Sequence, residues 1–282
     1  MIQRAEKFSL EENSLDKSRW IKDFVPKKRL GQNFLINPHI KQKIISSCQL
    51  QPSDCVLEIG PGQGALTMAI APYVQKVIAI EKDHELAFGL KEHFKNSNVT
   101  VIHGDILKFP FSSLPEKLKI IGNLPYNIAT PIIEKVFTHH KQFSSFYMTV
   151  QLEYGRRLSA KPNSKDYGSL SCFVQYYAEV KMLFRIKNTA FYPRPKVQSC
   201  FIQLDMRKEP KFQIHSEDLF FKILRHAFGQ RRKTIQNSLS QVFKKNQLLS
   251  VLESLNIDPK LRAENLKLED YVRITNASGK IL

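Results

Sequence analysis

Between residues 55 and 151 the chain repeats one unit: a short, continuous Val/Ile-rich run followed by a stretch of helical periodicity. This alternation constrains the fold more than any other feature. Apolar runs without polar interruption are buried on both faces, and that requires helices above and below a parallel sheet. The strands are expected at 55–59, 76–80, 99–103, 119–121 and 146–151. Helices are expected at 65–73, 84–94 and 130–139. Two later runs, 181–186 and 197–205, lie close together and read as an antiparallel pair at the sheet edge. The stretch between them and the last parallel strand, 152–179, reads as helical with a polar interruption at 161–166.

After Pro210 the pattern changes to helical segments at 218–228, 247–255 and 269–275 with no strand between them. The expected architecture is therefore an α/β domain over 24–207 and a small all-helical domain over 208–282. Asn37-Pro38 places a capping side chain and a first-turn proline at the start of another helix, with Ile40, Ile44, Ile45 and Cys48 on its apolar stripe. The first 23 residues mix both charge signs without an apolar stretch, and a mobile extension is expected there. Their acidic residues argue against a secretory or transit segment. No run approaches the 18 apolar residues of a membrane span. The four cysteines (Cys48, Cys55, Cys172, Cys200) form no CxxC pair. That argues against a disulfide scaffold or thiolate zinc site and fits a reducing, cytoplasmic setting.

The net charge is +17 over 282 residues. Residues 185–282 hold 19 basic and 9 acidic groups, whereas 1–184 hold 24 and 17. A field of this sign favours a polyanion, nucleic acid or an anionic membrane surface; the plainer reading is a solvated basic surface.

The segment Val56-Leu57-Glu58-Ile59-Gly60-Pro61-Gly62-Gln63-Gly64 runs a buried strand into a glycine-rich turn and a helix. Glycines allow a sharp turn and close approach of a ligand to the backbone. Glu81 ends the next strand, where a carboxylate accepts from ribose hydroxyls. Asp105 follows the third. Ligands of open α/β sheets lie beyond the carboxyl ends of the strands, so Gly60, Glu81 and Asp105 are expected to converge. The spacing GxGxG differs from the dinucleotide GxGxxG and suits a cofactor without a pyrophosphate. It resembles the first motif of class I S-adenosylmethionine-dependent methyltransferases, in which the acid at the position of Asp105 bonds the cofactor's adenine.

The fourth strand ends in Gly122-Asn123-Leu124-Pro125-Tyr126. Methyl transfer to an exocyclic aromatic amine needs acceptors that draw the nitrogen toward tetrahedral geometry and free its lone pair. An Asn oxygen and a following backbone carbonyl supply them. Pro125 stiffens the turn, and Tyr126 offers a face for an extruded base. The tetrapeptide resembles motif IV of adenine amino methyltransferases. Phe191, in Phe191-Tyr192-Pro193-Arg194-Pro195-Lys196-Val197, resembles the loop aromatic that covers the other face of the base. The expected catalytic set is Asn123, Leu124, Pro125, Tyr126 and Phe191. No metal constellation is present: the histidines are dispersed, and His139-His140 do not share a helix face.

Together with Lys28-Arg29-Leu30-Gly31-Gln32-Asn33-Phe34-Leu35 and Phe228-Gly229-Gln230-Arg231-Arg232-Lys233-Thr234, these segments resemble the KsgA-type small-subunit ribosomal RNA adenine N6-dimethyltransferase family over about 24–280. The resemblance implies a Rossmann-like class I methyltransferase sheet with a helical rRNA-binding domain. It implies S-adenosyl-L-methionine held by Gln32, Asn33, Leu35, Gly60, Gly62, Glu81, Asp105 and Asn123. It also implies dimethylation of two adjacent adenosines in the 3′-terminal hairpin of small-subunit rRNA, within an assembling subunit and by a monomer. Lys27, Lys28, Arg29, Arg231, Arg232 and Lys233 are the expected RNA contacts. Three alternatives stay open: a large-subunit rRNA dimethyltransferase, a DNA adenine methyltransferase, and a non-catalytic rRNA-binding assembly factor.

Overall fold

The structure is a computed structural model and describes residues 24–278; the mobile extension expected over 1–23 lies outside the described residues. By packing, the chain forms two compact units. One comprises the residues up to Leu152 with Leu183–Gln203; the other comprises Glu153–Met182 with the residues from Leu204 on.

The strands in chain order are β1 (Phe34–Leu35), β2 (Cys55–Ile59), β3 (Lys76–Glu81), β4 (Val99–His103), β5 (Leu118–Asn123), β6 (Phe143–Gln151), β7 (Ala178–Ile186), β8 (Phe191–Tyr192) and β9 (Ser199–Met206). Seven of them form one sheet in the order β4-β3-β2-β5-β6-β9-β7. The pairs β2–β3, β2–β5, β3–β4 and β5–β6 are parallel, and the sheet closes on an antiparallel edge. Chain order reverses direction between β2 and β5, which opens a crevice at their carboxyl ends. The central strands are buried as their apolar runs require: every residue of β3 after Lys76 is buried.

Helices α1 (Pro38–Ser47), α2 (Ala65–Ile70), α3 (His84–His93) and α4 (Ala129–Thr138) belong to this first unit. The Asn37 side chain accepts from the Ile40 N–H at 3.0 Å and starts α1. Asp83 does the same for α3 through the Glu85 N–H at 3.1 Å. The core collects Leu35, Ile44 and Cys48 with Val56, Val77, Ile121 and Phe201. A second, two-stranded ribbon pairs β1 with β8 antiparallel. Two residues per strand are too few to register as a periodic run, so only the fold reveals it.

The second unit holds α5 (Leu152–Leu158), α6 (Ser169–Tyr177), α7 (Glu217–Gly229), α8 (Ile235–Ser238), α9 (Lys245–Ser254) and α10 (Leu268–Ser278); Leu152, the first residue of α5, counts with the other unit. The sequence reading divides the chain at 207/208, whereas residues 153–182 pack with the C-terminal helices. Aromatic rings explain the difference. Phe173 and Tyr176 of α6 meet Phe221 and Phe220 of α7 at 5.2 and 5.1 Å. Tyr167 meets Phe228 at 5.7 Å. The Tyr177 hydroxyl donates to Glu217 at 2.9 Å. On α7 the buried side chains are Phe220, Ile223, Leu224, Ala227 and Phe228, the i, i+3, i+4, i+7, i+8 stripe of a helix with one apolar face.

Among the described residues no helix is long and apolar enough to cross a membrane. No group of three or more His, Cys, Asp or Glu side chains among them could hold a metal ion.

Candidate active site

The carboxyl ends of β2, β3, β4 and β5 open into one cleft. Its lining includes Gly60, Gly62, Glu81, Asp105, Asn123 and Tyr126. The glycine turn crosses it with Gly60, Gly62 and Gly64 at φ +67°, +60° and +77°. At Gly62 the requirement is also spatial, because a Cβ there would lie 2.9 Å from the Phe34 ring.

Glu81 is fixed by backbone on both oxygens. Its Oε2 accepts from the Gly62 N–H at 2.9 Å and its Oε1 from the Asp83 N–H at 2.8 Å. A carboxylate oxygen has two lone pairs, so each keeps one acceptor site. Burial raises the pKa of Glu81, and the Asp83 and Gly62 N–H groups oppose that rise. Two residues before Gly60, Glu58 is 1% exposed, and burial pushes its carboxyl up to about 8. Its Oε2 has no hydrogen-bond partner although Glu58 lines the cleft. A buried carboxyl oxygen left without a donor suits a ligand that brings one. Asp105 pairs with Lys82 Nζ at 2.8 Å and accepts from the Leu107 N–H at 3.0 Å. The Lys82 contact, above all, holds its carboxyl below the ordinary range.

On the other side of the cleft stands the Asn123–Tyr126 turn. The Asn123 Nδ2 donates to the backbone carbonyl of Asn33 at 2.7 Å. This contact fixes which way the amide points: the nitrogen is occupied, and Oδ1 is left as an acceptor. Leu124 is buried, and its N–H donates to Thr149 O at 3.2 Å, which anchors the turn to β6. The Tyr126 hydroxyl and the Ser199 Oγ are 2.7 Å apart, so the phenol ring is held at its far end.

A strap from Lys27 to Leu35 touches each of these parts. Gly31, at φ +64°, lies so close to the turn that a Cβ would come 3.3 Å from Pro125 Cβ. Gln32 donates to Asp83 at 3.2 Å and accepts from the Lys27 N–H at 2.7 Å. Lys27 Nζ pairs with Asp83 at 2.8 Å and with Glu85 at 3.6 Å. Asn33 supplies the carbonyl for Asn123, and Phe34 packs on Gly62.

The fold therefore brings Gln32, Asn33, Leu35, Gly60, Gly62, Glu81, Asp105, Asn123, Leu124, Pro125 and Tyr126 to one cleft. It treats other expected residues differently. Phe191 is 3% exposed and belongs to the apolar core, because in the ribbon it pairs with Leu35 and shares that residue's buried side. Lys27 is tied to Asp83, while Lys28 and Arg29, in a 3-10 turn, are exposed and Arg29 lines the cleft. In the second unit Arg231 pairs with Glu264 at 2.9 Å and donates to Lys165 O at 2.9 Å. Arg232 and Lys233 are exposed. The sequence reading missed Asp83, Lys82 and Phe34. The spacing Glu81-x-Asp83 at a strand end was the available signal for the first, since the residue opening the next helix is also its cap.

A seven-stranded sheet in this order, with a glycine turn after its central strand and carboxylates at the following strand ends, defines a class I methyltransferase. The family model described as ribosomal RNA adenine dimethylase matches residues 24–280. The chain is 41% identical over 267 residues to the ribosomal RNA small subunit methyltransferase A of Moorella thermoacetica, covering 90% of this chain and 93% of that relative. Among solved structures, a dimethyladenosine transferase from Plasmodium falciparum superposes with a TM-score of 0.77 at 28% identity, covering 88% of this chain and 98% of that one. The 23S rRNA methyltransferase ErmE shares the fold, with a TM-score of 0.68 at 24% identity over 86% of this chain and 98% of that one. The chain belongs to the ribosomal RNA adenine dimethylase family and is an rRNA adenine dimethyltransferase.

Proposed function

We propose that the protein transfers methyl groups from S-adenosyl-L-methionine to N6 of two adjacent adenosines in the 3′-terminal hairpin of small-subunit rRNA. It would do so as a cytoplasmic monomer, late in subunit assembly, without a metal ion. The observation that carries the reading is the Asn123 amide, pinned by Asn33 O at 2.7 Å at the end of β5 beside a cleft with three strand-end acids.

The residues present fit the cofactor. Glu81 keeps acceptor sites for ribose hydroxyls, Asp105 would accept from the adenine amino group, and the unpartnered oxygen of Glu58 leaves an acceptor for a ligand's donor. Gly60 and Gly62 leave backbone in place of side chains, and Gln32, Asn33 and Leu35 would cover the site from the strap. When bound, S-adenosylmethionine supplies a methyl group already activated on a sulfonium. The chain has then to place the amine and shape its lone pair. Asn123 Oδ1 and the Leu124 carbonyl would accept the two amine hydrogens, Pro125 would hold that geometry, and Tyr126, fixed through Ser199, would carry the base face. Lys28, Arg29, Arg232 and Lys233 would meet phosphates.

The test is incubation with labelled cofactor and unmodified small subunits, large subunits or DNA, followed by nucleoside analysis. N6,N6-dimethyladenosine in small-subunit rRNA is the expected product; label in large subunits or DNA alone would overturn the substrate assignment. Asn123→Ala should lower single-turnover rate by about 100-fold or more with cofactor affinity retained, since its oxygen acts as the amine becomes tetrahedral.

A further inference from the structure

The ribbon β1–β8 sorts its four side chains between two faces. Leu35 stands opposite Phe191, and Phe34 opposite Tyr192. Residues directly opposite in an antiparallel pair share a face, and their neighbours along the strand take the other. Leu35 and Phe191 are 5% and 3% exposed and lie in the core. Phe34 lines the cleft and packs on the glycine turn. Tyr192 shares the face of Phe34 and is 51% exposed.

The segment after Tyr192 is shaped for a polyanion. Between Ile186 and Asp205 the chain carries Lys187 before the ribbon strand and Arg194 and Lys196 after it, and no acid. Arg194 and Lys196 are exposed. Asn188 Nδ2 donates to Pro195 O at 3.2 Å, and Pro193 and Pro195 restrict the backbone, so the loop is held before any partner arrives.

We propose that Tyr192, with Arg194 and Lys196, forms the docking surface for the nucleotide next to the adenosine being methylated. The inference rests on the rRNA-adenine reading above and extends it to a second base. Extruding one base from a stack strips its neighbour of a stacking partner. A half-exposed phenol ring beside the cleft replaces that partner, and the two cations meet the flanking phosphates. Such a surface suits a substrate with two adjacent adenosines, because the base waiting its turn has a place to rest.

The experiment uses the full chain and unmodified small ribosomal subunits. KM for subunits, kcat, cofactor affinity and melting temperature are measured for wild type, Tyr192→Ala, Tyr192→Phe and the pair Arg194→Ala/Lys196→Ala. Tyr192→Ala should raise KM for subunits by about fivefold or more, with cofactor affinity unchanged. Tyr192→Phe keeps the ring and should restore the wild-type KM. The double variant should reduce the magnitude of the salt slope of subunit binding by about 0.7–0.9 for each phosphate that is no longer neutralised. An unchanged KM in Tyr192→Ala, a parallel loss of cofactor affinity, or a Tyr192→Phe as impaired as Tyr192→Ala would overturn the proposal. Wild type inactive on subunits would overturn the substrate reading and this inference together. Wild type active with Tyr192→Ala unaffected would overturn this inference alone.

Discussion

The two units use the same residue types in opposite ways. In the first, the acids Glu58, Glu81 and Asp105 line a cleft, and burial rather than an ion pair dominates the environment of Glu58. In the second, Glu217 accepts from Tyr177 and Glu264 pairs with Arg231, so these acids close the unit on itself. Cations divide within each unit instead: Lys27 pairs with Asp83 and Arg231 with Glu264, whereas Lys28, Arg29, Arg232 and Lys233 stay exposed. A basic triplet in sequence is thus not a uniform surface. In each triplet one member braces its own unit, and the other two stay exposed.

The largest effect expected from this contrast is at Glu58. Its folded-state carboxyl sits at about 8 against an ordinary 4.5, with burial as the cause. Between those values the folded chain holds a proton that the unfolded chain has released. Stability without ligand is therefore greatest below pH 4.5, as far as this group is concerned, and falls as pH rises toward 8. Glu58→Gln should remove much of that slope and be more stable at pH 9 by an amount on the order of a few kcal/mol. Denaturant melts across pH 6–9 check it; parallel pH profiles for the two proteins would show that the cleft acid carries no such strain.

Next comes Asp83, which ties the strap to the segment just beyond β3. Asp83→Ala removes the cap of α3 and the partner of Lys27 and Gln32, at a cost of about 1–3 kcal/mol in stability. Because the strap also supplies the Asn33 carbonyl, cofactor affinity and turnover should fall together. Calorimetry and single-turnover rates decide between this and a purely structural cap, which would lower the melting temperature and leave both unchanged.

The smallest effects separate the members of the C-terminal triplet. Arg231→Ala should lose at most about 1 kcal/mol of stability, as exposed ion pairs do, and leave the salt dependence of subunit binding in place. Arg232→Ala/Lys233→Ala should do the reverse: no change in melting, and a salt slope reduced by about 0.7–0.9 for each phosphate left without its cation. Identical behaviour of the two variants would erase the distinction between bracing and partner-facing cations.

Much of the first unit was legible in the chain itself. The strands at 55–59 and 99–103 appear with the expected bounds, and the cap at Asn37 and the strand-end acids stand where periodicity put them. The α6 segment was legible as a helix but not as part of the second unit, since Phe173 and Tyr176 look alike whether they face a sheet or α7. Phe191 was misplaced for a related reason. A two-residue strand offers no alternation to read, so which of two adjacent aromatics turns inward depends on Leu35, more than 150 residues earlier in the chain.

The sequence by itself determined the parallel α/β sheet, the glycine turn and the convergence of Gly60, Glu81 and Asp105, because each follows from local rules: uninterrupted burial, positive φ, and strand ends that share one edge. Only the tertiary structure decided which way the Asn123 amide points, that Lys27 braces while Lys28 does not, and that Tyr192 rather than Phe191 shares the exposed face of the ribbon. Those outcomes depend on contacts between segments far apart in the chain, where a single hydrogen bond or a one-residue register sets a side chain's direction, and no local pattern encodes such a contact.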